Sequence, residues 1–241
     1  MKIMKMFRWY WQNTYWALVG FYGAMLGVLL LGSTIAICAG ESEVSVNGFS
    51  FSSAVMIFVM GIVFFSAGTR FGPSNGASRK STFYGFLLFL VTLSAGKMLI
   101  NMILSQMGQW FGVHTQELEA LLYPGTSGFG GWLSIFLCQT AAGLATGILG
   151  YFIGGAYYRM NKIWKIAVSI TVPALAAIGL PLFVVSFPSV AEGIVVKLLA
   201  PLGSWVLRSP YCLALLFLGF SILLGLFCWL LIRKAPVKAA G

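Results

Sequence analysis

The chain has five glutamates, no aspartate and a single histidine, and only 8% of its residues are charged. Each shortage excludes something. Soluble domains carry about 25% charged residues, and a water-facing surface cannot be built from so few. An aspartyl intramembrane protease is excluded for want of Asp. A serine nucleophile in the bilayer would need a base beside it, but the one histidine, His114, lies between apolar runs. No His/Cys/Glu group has metal-ligand spacing, so no metal site is expected. Cys38, Cys138, Cys212 and Cys228 sit in or at the ends of apolar runs and read as small buried hydrophobes. Glu117 and Glu119 could do acid/base work as a pair, but solvated loop carboxylates are the plainer reading. The segment Gly72–Ser81 is not a phosphate-binding loop: Gly76 is followed by Ala77 instead of Lys. We therefore expect no catalytic residue and no cofactor in this chain.

What is abundant is apolar: 59% hydrophobic residues and a mean hydropathy of +0.93. A spanning helix needs about 20 mostly apolar residues. Six such runs lie at 16–38, 52–69, 83–104, 131–153, 166–187 and 211–232. The basic start is followed by an apolar stretch too long for a cleavable signal. The expected fold is all-α and integral to the membrane, one transmembrane domain over 1–241.

The gaps between the runs alternate in charge. Lys2, Lys5 and Arg8, then Arg70, Arg79 and Lys80, then Arg159, Lys162 and Lys165, then Arg233, Lys234 and Lys238 fall on one side. Glu41, Glu43, Glu117, Glu119 and Glu192 fall on the other. The positive-inside rule then puts both termini in the cytoplasm of a bacterial inner membrane. The net charge of +10 is read as loops facing anionic lipid. It does not point to nucleic acid, because the basic residues are scattered over separate loops.

Residues 1–15 place Lys2, Lys5, Arg8 and Gln12 on one helical face and Ile3, Phe7, Tyr10 and Trp11 on another, with Trp9 alongside. This predicts an amphipathic helix lying in the lipid interface; an aromatic flank to the first span is the alternative. The stretch 188–210 is apolar but broken by Pro188, Gly193, Pro201, Gly203 and Pro210. It predicts a re-entrant or interfacial segment on the outer side, before the last span. Gly143, Gly147, Gly150 and Gly154 in the fourth run, and Gly23 and Gly27 in the first, have the spacing that lets helices approach closely in lipid. Pro173 and Pro181 predict a kink in the fifth. Lys97 is the one charge inside a span; a functional role and simple snorkelling to the outer interface both remain open.

The second basic gap carries a resemblance. Phe71-Gly72-Pro73-Ser74-Asn75-Gly76-Ala77-Ser78-Arg79-Lys80, followed by Phe83, resembles the short inner loop of bacterial ABC-2-type transporter permeases. The amphipathic start, six spans and broken outer segment extend the likeness over nearly the whole chain. The resemblance implies an inert membrane subunit of an ABC exporter that works by alternating access. It would pair with a second permease protomer, identical or not. It would dock an ATP-binding subunit, which holds the ATP and Mg, through Phe71 to Lys80 as a coupling helix and through the N-terminal helix. The mostly apolar spans favour an amphiphilic substrate: a peptide, lipid or hydrophobic drug. The alternative class is a polytopic membrane protein without transport, such as an immunity, sensor or scaffold module. The absence of carboxylates in the spans counts against an ion-coupled carrier.

Overall fold

The computed structural model describes residues 2–39, 44–45, 48–110, 113–114, 122–123, 128–174 and 200–233. Among them are α1 (Lys2–Ala39), β1 (Val44–Ser45), α2 (Phe49–Ser74), α3 (Arg79–Trp110), β2 (Val113–His114), α4 (Gly128–Arg159), α5 (Lys162–Ala174), α6 (Ala200–Leu207) and α7 (Pro210–Arg233). β1 and β2 are a two-residue parallel pair, Val44 opposite Val113 and Ser45 opposite His114. Otherwise the described chain is helical. Among the described residues, five helices are long and apolar enough to cross a membrane: Lys2–Thr34 within α1, α2, α3, Gly130–Arg159 within α4, and α7. This is a multi-pass helical membrane protein.

The helices run past the apolar windows that mark them in the sequence. α3 has 32 residues, about 48 Å at 1.5 Å per residue, against a hydrocarbon core of about 30 Å. Nothing stops such a helix at the lipid boundary; it ends where a cap or a turn residue ends it. The fifth expected span, 166–187, is described only to Ala174, as the exposed helix α5, and Pro181 lies outside the described residues. Of the broken stretch 188–210, the described part is α6 and the turn into α7, where Pro210 takes the first helical position that suits proline.

One expectation is corrected. Residues 2–15 are not a separate interfacial helix, because α1 runs unbroken from Lys2 to Ala39. No proline or glycine interrupts 2–19, and the aromatic face expected in lipid packs on α2 and α3 instead. Tyr10 is fully buried. Its ring lies 5.0 Å from Phe64 of α2 and 5.8 Å from Phe86 of α3. Trp9 stacks on Phe71 at 4.4 Å, and Phe86 on Tyr151 of α4 at 4.0 Å. Such pairs add about 0.5–1.5 kcal/mol each beyond the area they bury.

α4 is the central element, flanked by α2 and α7. Its glycines explain how α2 comes so close. A Cβ on Gly150 would collide with the carbonyl of Phe58, and one on Gly154 would sit 2.6 Å from that of Ile62. From the other side, a Cβ on Gly61 would strike the carbonyl of Gly147. In lipid, where apolar burial drives no association between helices, this backbone-to-backbone contact is the packing energy. α7 meets α4 through Cys138, Ala141 and Ala214, and through Cys228, whose thiol points to the carbonyl of Ile148 at 3.8 Å. Cys138 and Cys228 are buried, Cys212 is half-buried and Cys38 is exposed, which departs from the reading of all four as buried hydrophobes.

Candidate functional site

The stretch Phe71–Lys80 is not a coupling helix of its own. Residues 71–74 complete α2, residues 79–80 begin α3, and only four residues lie between. The sequence dictates this locally. Gly76 takes φ +67°, a left-handed conformation natural to glycine after a helix end. The amide of Ala77 donates to the carbonyl of Gly72 at 2.8 Å and that of Gly76 to Pro73 at 3.1 Å. These close the last turn of α2 as a Schellman motif. Ser78 then caps α3, its Oγ accepting from the amide of Ser81 at 3.1 Å. Gly72 lies so close to Thr82 that a Cβ there would strike its hydroxyl.

Two side chains tie this turn to distant helices. Lys2 Nζ, at the start of α1, donates to the carbonyl of Gly76 at 2.8 Å. Arg79 Nη1 donates to the carbonyl of Arg233, the last residue of α7, at 2.7 Å. A guanidinium on orphan carbonyls at a helix C-terminus also opposes the negative end of the helix dipole. The turn is therefore held to α1, α2, α3 and α7 together. Ser74, Asn75, Gly76, Ser78, Arg79 and Lys80 are exposed, while Phe71 is half-buried under Trp9.

These contacts also orient the bundle. The start of α1, the α2–α3 turn and the end of α7 meet at one end. α2 and α4 run side by side in the same direction, so Arg159 and the α4–α5 turn share that end. Lys2, Lys5, Arg8, Arg70, Arg79, Lys80, Arg159, Lys162 and Arg233 make it basic and exposed. α6 lies at the opposite end, where the hydroxyl of Tyr123 donates to the carbonyl of Val206 at 2.8 Å. All five glutamates fall outside the described residues.

The other expected positions are dispersed. Lys97 is 3% exposed and does not face lipid: its Cε lies 3.4 Å from where a Cβ of Gly143 would stand, between α3 and α4. Gly143 and Gly147 touch α3, and Gly147, Gly150 and Gly154 touch α2. Gly23 and Gly27, with Gly20, have no described atom near their faces. Lys5, Arg8 and Trp11 lie along α1, where Trp11 Nε1 donates to Thr92 Oγ1 at 3.3 Å.

Sequence reasoning missed the company that Lys97 keeps. Ser94, Asn101 and Ser105 share its face of α3, and Ser50 and Ser53 of α2 with Gln139 of α4 meet them. Gln139 Nε2 donates to Ser50 Oγ at 2.9 Å, and Asn101 Nδ2 to Ser53 Oγ at 3.1 Å. The available signal was polar residues three and four apart inside an apolar run.

Comparison with family models, with curated proteins and with solved structures returns no match. The likeness of the second basic gap therefore rests on its own residues.

Proposed function

We propose that the chain is the permease subunit of an ATP-driven exporter in the bacterial cytoplasmic membrane, with its basic end cytoplasmic. The ATP-binding subunit is a separate protein that docks on the α2–α3 turn, and the path for an amphiphilic substrate forms against a second permease protomer. One observation carries this reading: the exposed basic turn is tied to four helices at once, by chain continuity to α2 and α3 and by Lys2 and Arg79 to α1 and α7. A partner pressing on such a turn moves rigid helices instead of a slack loop. The positive charge of this end sets its orientation by the positive-inside rule and suits an acidic docking surface.

The test is purification from native membranes in mild detergent. An ATP-hydrolysing subunit should co-elute with the wild-type chain. Arg79→Glu with Lys80→Glu should lower its recovery about tenfold, at an unchanged elution volume for the permease. Arg79→Met alone, which releases α7 without reversing charge, should retain most of it. Equal recovery from the charge-reversed variant contradicts docking at this turn. An assembly without ATP hydrolysis contradicts the exporter and leaves the non-transport alternative.

A further inference from the structure

The first turns of α1 bury an aromatic face and leave a polar one outside. Lys5, Arg8 and Gln12 follow at helical spacing and are exposed, while Met6 and Tyr10 behind them are buried. Further along the same outward side, Tyr15 is 57% and Trp16 78% exposed, and Val19 follows.

The neighbouring helices fix how deep this face lies. α1 and α3 run side by side in the same direction. A Cβ on Gly85 would meet Met6 and, at 3.3 Å, the amide nitrogen of Phe7. Four residues on, the ring of Trp11 lies 5.5 Å from that of Phe89, and its Nε1 donates to Thr92. On the other side Tyr10 meets Phe64 of α2 at 5.0 Å. Arg8 therefore stands level with residues 86–88 of α3, inside the apolar run 83–104, and close to the level of Phe64 in the run 52–69. Leu88 and Val63 are exposed on those helices near that level. The apolar run of α1 itself begins only at residue 16, about 12 Å further along the helix. A cationic face thus lies beside the edge of the hydrocarbon, flanked by residues that face lipid.

Cations at that depth need an acceptor. Lys and Arg side chains only donate, and the guanidinium fork matches a phosphate with two parallel bonds. No described residue is acidic, and among the described residues neither Lys5 nor Arg8 has a hydrogen bond or an ion pair. The acceptor that the surroundings supply at this level is the phosphate of a membrane lipid. A protein docking on the α2–α3 turn from outside the bilayer meets the end of the bundle instead of this side.

We propose that the outward face of α1 binds an anionic phospholipid from the leaflet at the basic end. Lys5 and Arg8 hold the phosphate, and the Gln12 amide donates to the ester oxygens below it. Tyr15, Trp16 and Val19 line the path of an acyl chain. The site needs no ATPase and no second protomer, so it stands or falls apart from the exporter reading.

The test is native mass spectrometry of the whole chain in detergent carrying dioleoylphosphatidylglycerol or, in parallel, dioleoylphosphatidylcholine. The wild-type chain should bind the anionic lipid more tightly. Lys5→Gln with Arg8→Gln, both at exposed positions, should weaken that binding about 25-fold, at about fivefold for each basic residue near a lipid surface. Lys162→Gln with Lys165→Gln removes the same charge from the same end and should leave binding unchanged. Inorganic phosphate in large excess should not displace the lipid. All variants are compared on protein that elutes as wild type. Equal binding by the Lys5 and Arg8 variant overturns the proposal. An equal loss in the α5 variant also overturns it, because the net charge of this end then sets the affinity. Displacement by phosphate gives the face to a free anion, and a co-eluting protein released by the Lys5 and Arg8 variant gives it to a protein; either result overturns the lipid site.

Discussion

The two halves of the bundle are made from the same helices by different means. In the basic half, α1, α2, α3 and α4 converge on an aromatic cluster centred on Tyr10, Phe64, Phe86 and Tyr151. Glycines bring α2 onto α4 there, and two side chains fasten the connecting turn. In the opposite half, among the described residues, the buried apolar contacts of α1 are a small cluster of Met25 and Leu29 with Phe49 and Leu104. Apolar clefts open on both sides of it, one lined by Leu26, Leu30 and Met107, the other by Phe21, Val28 and Ser52. The other three helices face each other there through hydroxyls, amides and an ammonium. The difference teaches that the same helices can be packed tightly at one end of a bundle and more loosely at the other.

That contrast predicts a ranking of substitutions. Gly150→Leu should be the most damaging. Its side chain must displace the α2 backbone at Phe58, and overpacking of this kind costs about 3 kcal/mol or more. Folded yield in detergent should collapse. Gly23→Leu, on the open face of α1, should leave yield unchanged, and any effect it has should appear in crosslinking between protomers. Normal yield from the Gly150 variant would falsify the close α2–α4 contact.

Next comes the hub of the basic half. Tyr10→Ala empties a fully buried aromatic site touched by α2 and α3, at about 3–5 kcal/mol. Leu29→Ala in the thinner half of the same helix should cost about 2 kcal/mol. Melting temperatures of the two variants in one detergent give the order directly, and the reverse order breaks the comparison.

Smaller still are the fasteners. Lys2→Met and Arg79→Met each remove one exposed hydrogen bond to a carbonyl, worth about 0.5–1.5 kcal/mol. Global melting should barely move. Amide exchange at Asn75, Gly76 and Ala77 should quicken several-fold, and more in the double variant than in either single one. Unchanged exchange in the double variant means that the turn is held by its own Schellman bonds alone.

Much of the coarse architecture was legible in the sequence, for physical reasons. Long apolar runs with few charges leave a helix across lipid as the economical backbone, and α2, α3, α4 and α7 contain the runs at 52–69, 83–104, 131–153 and 211–232. Basic residues recur in every second gap because alternate gaps share an end. The helix ends were not legible from hydropathy. Gly76 and Ser78 set the ends of α2 and α3, and a hydropathy window does not see caps. The start of α1 misled because an amphipathic face reads the same whether it covers lipid or two other helices; Tyr10 on Phe64 and Phe86 decides for the helices. Lys97 was conspicuous in the sequence, whereas Ser53, Asn101 and Gln139 were not. A serine or an amide in an apolar run gains meaning only from what stands opposite, and that is set by tertiary packing.

The central claim is that the stiff basic end faces the cytoplasm, where an ATP-binding partner can reach the turn. It is tested most directly by labelling from outside intact cells. Ser74→Cys and Arg208→Cys place a thiol at exposed positions of the two ends, in a chain whose native cysteines are replaced. An impermeant maleimide should label position 208 in intact cells and position 74 only after the membrane is opened. Labelling of position 74 in intact cells, with position 208 protected, would contradict the account, because the basic turn would then face away from any source of ATP.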